Sequence, residues 1–143
     1  MSASTVNVLS VSPHQEDHAS LQGILGHSWW NVFKAQSTST ASALIQQHDI
    51  SVVICEADLW QKTWIDMLNE TRSIPNPPSL IVASRLADDR LWAEALNLGA
   101  WDVLAKPFDR AEVLRSVRYA WEHYWHRQPK MAATPMKILS AAS

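Results

Sequence analysis

Short apolar runs alternate along the chain with longer segments in which apolar residues recur at helical spacing. Val6-Asn7-Val8-Leu9-Ser10-Val11 reads as a first strand closed by Ser12-Pro13. A helix follows from about Glu16 to Leu25, with Ala19, Leu21, Ile24 and Leu25 as its apolar face and Gly26 as its stop. Trp30 to Ala35 predicts a short second strand, and Thr38-Ser39-Thr40 offer N-caps for a helix through Gln47 that uses Ala41, Ala43, Leu44 and Ile45. Ser51-Val52-Val53-Ile54-Cys55 is β-branched and apolar on both faces, as a central parallel strand covered on both sides should be. A helix from about Lys62 to Thr71 and a proline loop at Ile74-Pro75-Asn76-Pro77-Pro78 lead to a fourth strand, Leu80-Ile81-Val82-Ala83. Asp88-Asp89 opens a helix that stops at Gly99, Asp102-Val103-Leu104-Ala105 is a fifth strand, and Asp109 caps a last helix reaching about His126.

Five β-α units in a row predict an α/β fold in three layers, a parallel sheet with right-handed crossovers and helices on both faces. Residues 1–127 are expected to form this one domain. Residues 128–143, rich in Ala, Ser, Pro and Met without periodicity, are expected to be a flexible tail.

Composition narrows the function classes. A chain of 143 residues with 47% hydrophobic and 18% charged residues suits a soluble globular domain. The formal charge is −2 and Lys and Arg do not cluster, which speaks against nucleic acid as a partner. A single cysteine excludes an internal disulfide and a cysteine-based zinc cluster, and Cys55 itself reads as a small core residue. His14 and His18 stand four apart without an evident third ligand, so they read as a solvated helix start and no metal is assigned to them. No signal peptide and no run of ~20 apolar residues is visible, so a cytoplasmic location is expected and a membrane is not. Neither G-x-G-x-x-G nor a Walker A run follows the first strand, so a nucleotide-binding reading has no support in the sequence, and no nucleophile–base pair or cofactor loop is visible, so nothing points to an enzyme.

The run Gly99-Ala100-Trp101-Asp102-Val103-Leu104-Ala105-Lys106-Pro107-Phe108, with the order of elements over residues 6–126, resembles the receiver domain of bacterial two-component response regulators. The resemblance implies a flavodoxin-like (βα)5 doubly wound sheet in strand order 2-1-3-4-5, with the functional site at the carboxyl ends of the strands. It implies an acidic metal-binding pair after strand 1, an acceptor aspartate after strand 3, a hydroxyl after strand 4 and the lysine of a Lys-Pro pair after strand 5. Ser84 and Lys106-Pro107 match two of these parts, and a cis Lys106–Pro107 bond is implied.

Ser12 and Pro13 stand where the acidic pair belongs, and Glu56 stands at the acceptor position. The magnesium site is therefore expected to be lost, with no cofactor in its place. Glu56 is longer than aspartate by one C–C bond, ~1.5 Å, and is expected to face Lys106 as a permanent carboxylate. Asp58 is an alternative acceptor, and a weak metal site would keep a phosphorylatable receiver open as the second reading. The family's aromatic switch residue, three positions before the lysine, is Val103 here. The expected mode of action is phosphorylation-independent contact with a protein partner: a kinase, an output protein or a second copy. Eight tryptophans stand out. Trp92 is expected in the core, Trp121 in a mixed setting, and Trp101 and Trp125 partly exposed. With Tyr124, the last three form a candidate interface on the last two β-α elements, where the family makes homodimers and partner contacts.

Overall fold

The computed structural model describes residues 6–26 and 30–127. Residues 128–143, read above as a tail, lie outside them. The elements in chain order are β1 (Val6–Val11), α1 (Gln15–Leu25), β2 (Trp30–Ala35), α2 (Thr38–Gln47), β3 (Val52–Glu56), α3 (Trp64–Arg72), β4 (Ser79–Ser84), α4 (Asp89–Leu98), β5 (Asp102–Ala105) and α5 (Arg110–His126). The strands form one sheet in order β2-β1-β3-β4-β5, and every pairing is parallel.

Alternation along the strands feeds two apolar layers. Leu9, Val11, Val53, Cys55, Leu80 and Val82 meet Ala41 and Ile45 of α2, Trp64, Met67 and Leu68 of α3, and Ala95 of α4 on one face. Val8, Val52, Ile54, Ile81 and Leu104 meet Leu21 and Leu25 of α1 and Val113, Val117 and Ala120 of α5 on the other. β3, in the middle, is buried along its whole length, as its two-faced apolar sequence requires.

Several local expectations shift. Ser37, not the Thr38–Thr40 run, caps α2, its side chain accepting from the Thr40 N–H. α3 starts at Trp64, because Thr63 and Asp66 form a capping box there. On α1 the inward positions are Asp17, His18, Leu21 and Leu25, while Ala19 is exposed. Ala43 of α2 is likewise exposed. Trp92 is 39% exposed rather than core. Leu91, Ala95 and Leu98 take the inward side of α4 at helical spacing, which leaves Trp92 and Leu96 one step round the helix.

Candidate functional site

The carboxyl ends of β1, β3 and β5 bring three charged side chains together. Glu56 is the last residue of β3, Lys106 follows β5 across a cis Lys106–Pro107 bond, and Asp17 lies in the first turn of α1. Lys106 Nζ donates to Glu56 Oε1, and to Asp17 Oδ2 at 2.8 Å. These side chains are sealed from water: Lys106 is 7% exposed, Asp17 10% and Glu56 9%. Burial alone would push the Lys106 ammonium toward neutrality, but its bonds to Asp17 and Glu56 outweigh that and raise its pKa above 10.5. Two carboxylates and one ammonium leave the cluster with a formal charge of −1.

Each carboxylate has a further anchor. Glu56 Oε2 accepts the Asp58 N–H at 2.9 Å, and Asp17 Oδ2 accepts the Ser12 hydroxyl at 2.7 Å. Ser12 Oγ in turn accepts the His14 N–H. Beneath Asp17 lies His18, 1% exposed. Its Nε2 meets the Ser12 carbonyl at 2.9 Å and its Nδ1 meets the Ser10 hydroxyl at 2.8 Å. A carbonyl can only accept, so Nε2 carries a proton. Burial lowers the ring's pKa and so favours the neutral form, in which the Ser10 hydroxyl donates to Nδ1. The expectation of a solvated His18 is thus overturned: α1 turns it inward onto Ser10, while His14 is exposed.

The remaining positions divide. Ser84, half-buried at the end of β4, turns its hydroxyl to the Leu86 N–H, and its carbonyl accepts the Lys106 N–H. Pro107 is exposed, and Pro13 lines a groove on the α2 side. Val103 is 3% exposed in the layer under α2, α3 and α4. Asp58 is exposed, its Oδ1 accepting the Trp60 N–H. Asp17 is the residue that the sequence reading missed. An aspartate in the first turn after strand 1, five residues from Ser12, was the available signal. Two carboxylates with an ammonium between them are a poor donor set for magnesium, which seeks several oxygen ligands at short range. Among the described residues no three His, Cys, Asp or Glu side chains converge on a metal position.

The candidate interface does not form one surface. Trp101 is half-buried and stacks on His123, with ring centroids 4.6 Å apart. Trp121, half-buried, stacks on Trp125, which is 48% exposed. Ser116 and His123 face β5, through the Asp102 carboxylate and Trp101, so helical spacing places Trp121 and Trp125 on the opposite flank of α5. Tyr124 leaves the candidate interface altogether: it is buried, with its hydroxyl donating to Asp49 Oδ1 at 3.2 Å. No helix among the described residues is long and apolar enough to cross a membrane.

Comparisons with known proteins agree with this architecture. Residues 8–118 match the family described as the response regulator receiver domain. The chain is similar to the transcriptional regulatory protein CpxR of Klebsiella pneumoniae, 29% identical over 140 residues, 95% of this chain and 59% of that protein. It is also similar to the sensory transduction protein LytR of Staphylococcus saprophyticus, 26% identical over 84 residues, 59% of this chain and 32% of that protein. The chain thus spans less than two thirds of either curated relative. The signal receiver domain of an HD domain-containing protein from Pseudomonas fluorescens Pf-5 has the same fold, with a TM-score of 0.77 and 26% identity over 86% of this chain and 99% of that one.

Proposed function

This chain belongs to the response regulator receiver domain family, and from that premise we propose that it signals through protein contacts rather than through a phosphorylation cycle. Receiver chemistry moves a phosphoryl group onto a carboxylate beside a divalent cation that neutralises phosphoryl oxygens. The observation that carries the proposal is the Lys106 ammonium between Glu56 and Asp17, hydrogen-bonded to both. A magnesium ion entering there would compete with this ammonium for the same two carboxylates, and an ammonium left buried without its counter-charges costs several kcal/mol. Glu56 already has both oxygens engaged, one by Lys106 and one by the Asp58 N–H. The pocket is then a fixed ionic knot in which a permanent carboxylate replaces a transient phosphoryl group.

The output on this reading is a surface of constant shape, presented in the bacterial cytoplasm to a kinase, an output protein or a second copy. Val103 has no ring to swing between buried and exposed rotamers, so the route from pocket to output face that an aromatic switch supplies is lost. Trp125, stacked on Trp121 on one flank of α5, is the exposed aromatic anchor such a partner would use. Incubation of the protein with acetyl phosphate and Mg²⁺, followed by intact mass, should return the unmodified mass. A stoichiometric phosphoryl adduct, on the exposed Asp58 or elsewhere, contradicts the proposal.

A further inference from the structure

A groove between the loops that follow β1, β2 and β3 carries chemistry that the Lys106 cluster does not use. We propose that it binds a mononucleotide-like ligand, an aromatic ring bearing a phosphate monoester. This proposal does not depend on whether the Lys106 pocket accepts a phosphoryl group. The groove measures about 580 Å³, within the ~300–1,000 Å³ usual for small-ligand sites. It lies outside the carboxyl ends of β1 and β3, where the strand order reverses and open α/β sheets take their ligands.

One wall suits a phosphate. The first turn of α2 holds no acidic residue, so the positive end of its dipole is uncompensated. Ser37 caps the Thr40 N–H, while the N–H groups of Thr38 and Ser39 precede the first intrahelical acceptor. Thr38 supplies an independent sign of a missing partner: it is 4% exposed, it lines the groove, and its hydroxyl makes no hydrogen bond with any described residue. A buried hydroxyl is costly to leave unpaired, and a ligand oxygen would satisfy it. Lys62 adds a cation to the lining, which contains no carboxylate. Its pairing with Glu70 is exposed and long, at 3.7 Å, so the ammonium is free to turn.

The opposite wall suits a ring. Trp60 is 80% exposed on a backbone with φ 73°, a conformation that bulky residues adopt only when their surroundings impose it. Asp58 Oδ1 accepts the Trp60 N–H at 3.0 Å, and the Leu59 N–H donates to the Lys62 carbonyl at 2.9 Å, which fixes the loop while Leu59 is buried beneath it. An indole held out in this way beside a phosphate wall is a stacking platform for a heterocycle.

Calorimetric titration of the full chain with AMP, FMN and inorganic phosphate separates the two halves of the proposal. Saturable binding of AMP or FMN is expected, about tenfold or more tighter than inorganic phosphate, with a similar loss in Trp60→Ala. Thr38→Val should also weaken that binding, yet hold or raise Tm, because it removes an unpartnered buried hydroxyl. A purely structural Thr38 would lower Tm on substitution and leave binding alone. The proposal is overturned if neither AMP nor FMN saturates, if inorganic phosphate binds as tightly as they do, or if both variants bind like the parent.

Discussion

Lys106 is held charged against its own burial, and its neighbours therefore set how stability depends on pH. Its folded pKa lies above the ordinary 10.5, so its contribution is complete below that pH and is lost as pH rises through the folded value. His18 runs the other way. Burial lowers its pKa below 6.5, and the Ser12 carbonyl and Asp17, which favour the charged ring, do not outweigh it. An unfolded chain then binds a proton that the folded chain refuses, so stability is complete above about pH 6.5 and declines as pH falls below it. Urea midpoints measured at about pH 7.5 and pH 5.5 should fall toward the acid side, and His18→Gln should reduce that fall; a variant with an undiminished fall would count against the neutral ring. The facing of Glu56 and Lys106 was legible in the sequence, because strand ends in this topology point at one crevice. Asp17 and His18 were not. Reading α1 with Ala19 on its apolar face rotated both out to solvent, and periodicity over one short helix cannot resolve a rotation of that size.

At the scale of elements, helix ends are fixed by identifiable side chains. Thr63→Ala removes half of the capping box at α3 and should lower stability by about 1 kcal/mol in denaturant unfolding. Gly99 closes α4 at φ 108°, and a Cβ there would stand 2.6 Å from the Arg72 guanidinium. The guanidinium is the far end of a flexible chain and can move, so the backbone cost decides. Gly99→Ala should cost about 1–2 kcal/mol, plus the bond that Arg72 makes to the Leu98 carbonyl; thermal unfolding within a degree or so of the parent would contradict this. Gly99, Asp88 and Asp109 were readable as stop and caps because each acts on its own neighbours. The exposure of Trp92 was not, since Trp92 and Ala95 sit close enough on the helix to share a stripe in sequence while the sheet accepts only one of them.

Over the whole molecule, the five-unit α/β fold was legible because alternating runs of two periods admit few topologies. Ile54 lies in the middle of the central strand, 2% exposed, paired with Ser10 and Ile81. Ile54→Ala should lower the unfolding free energy by roughly 2–5 kcal/mol in a single cooperative transition. The ionic knot joins residues 17, 56 and 106, which are far apart in sequence, so it forms only when β1, β3 and β5 are in register. Such a knot is not a large net source of stability, because desolvation offsets much of its attraction. Breaking one side of it is expensive all the same. The measurement that tests it most directly is a double-mutant cycle in urea with Glu56→Gln, Lys106→Met and the pair. The account predicts a coupling energy of about 1–3 kcal/mol between the two positions. Additivity within about 0.3 kcal/mol would mean that Glu56 and Lys106 do not share a pocket, and would contradict it.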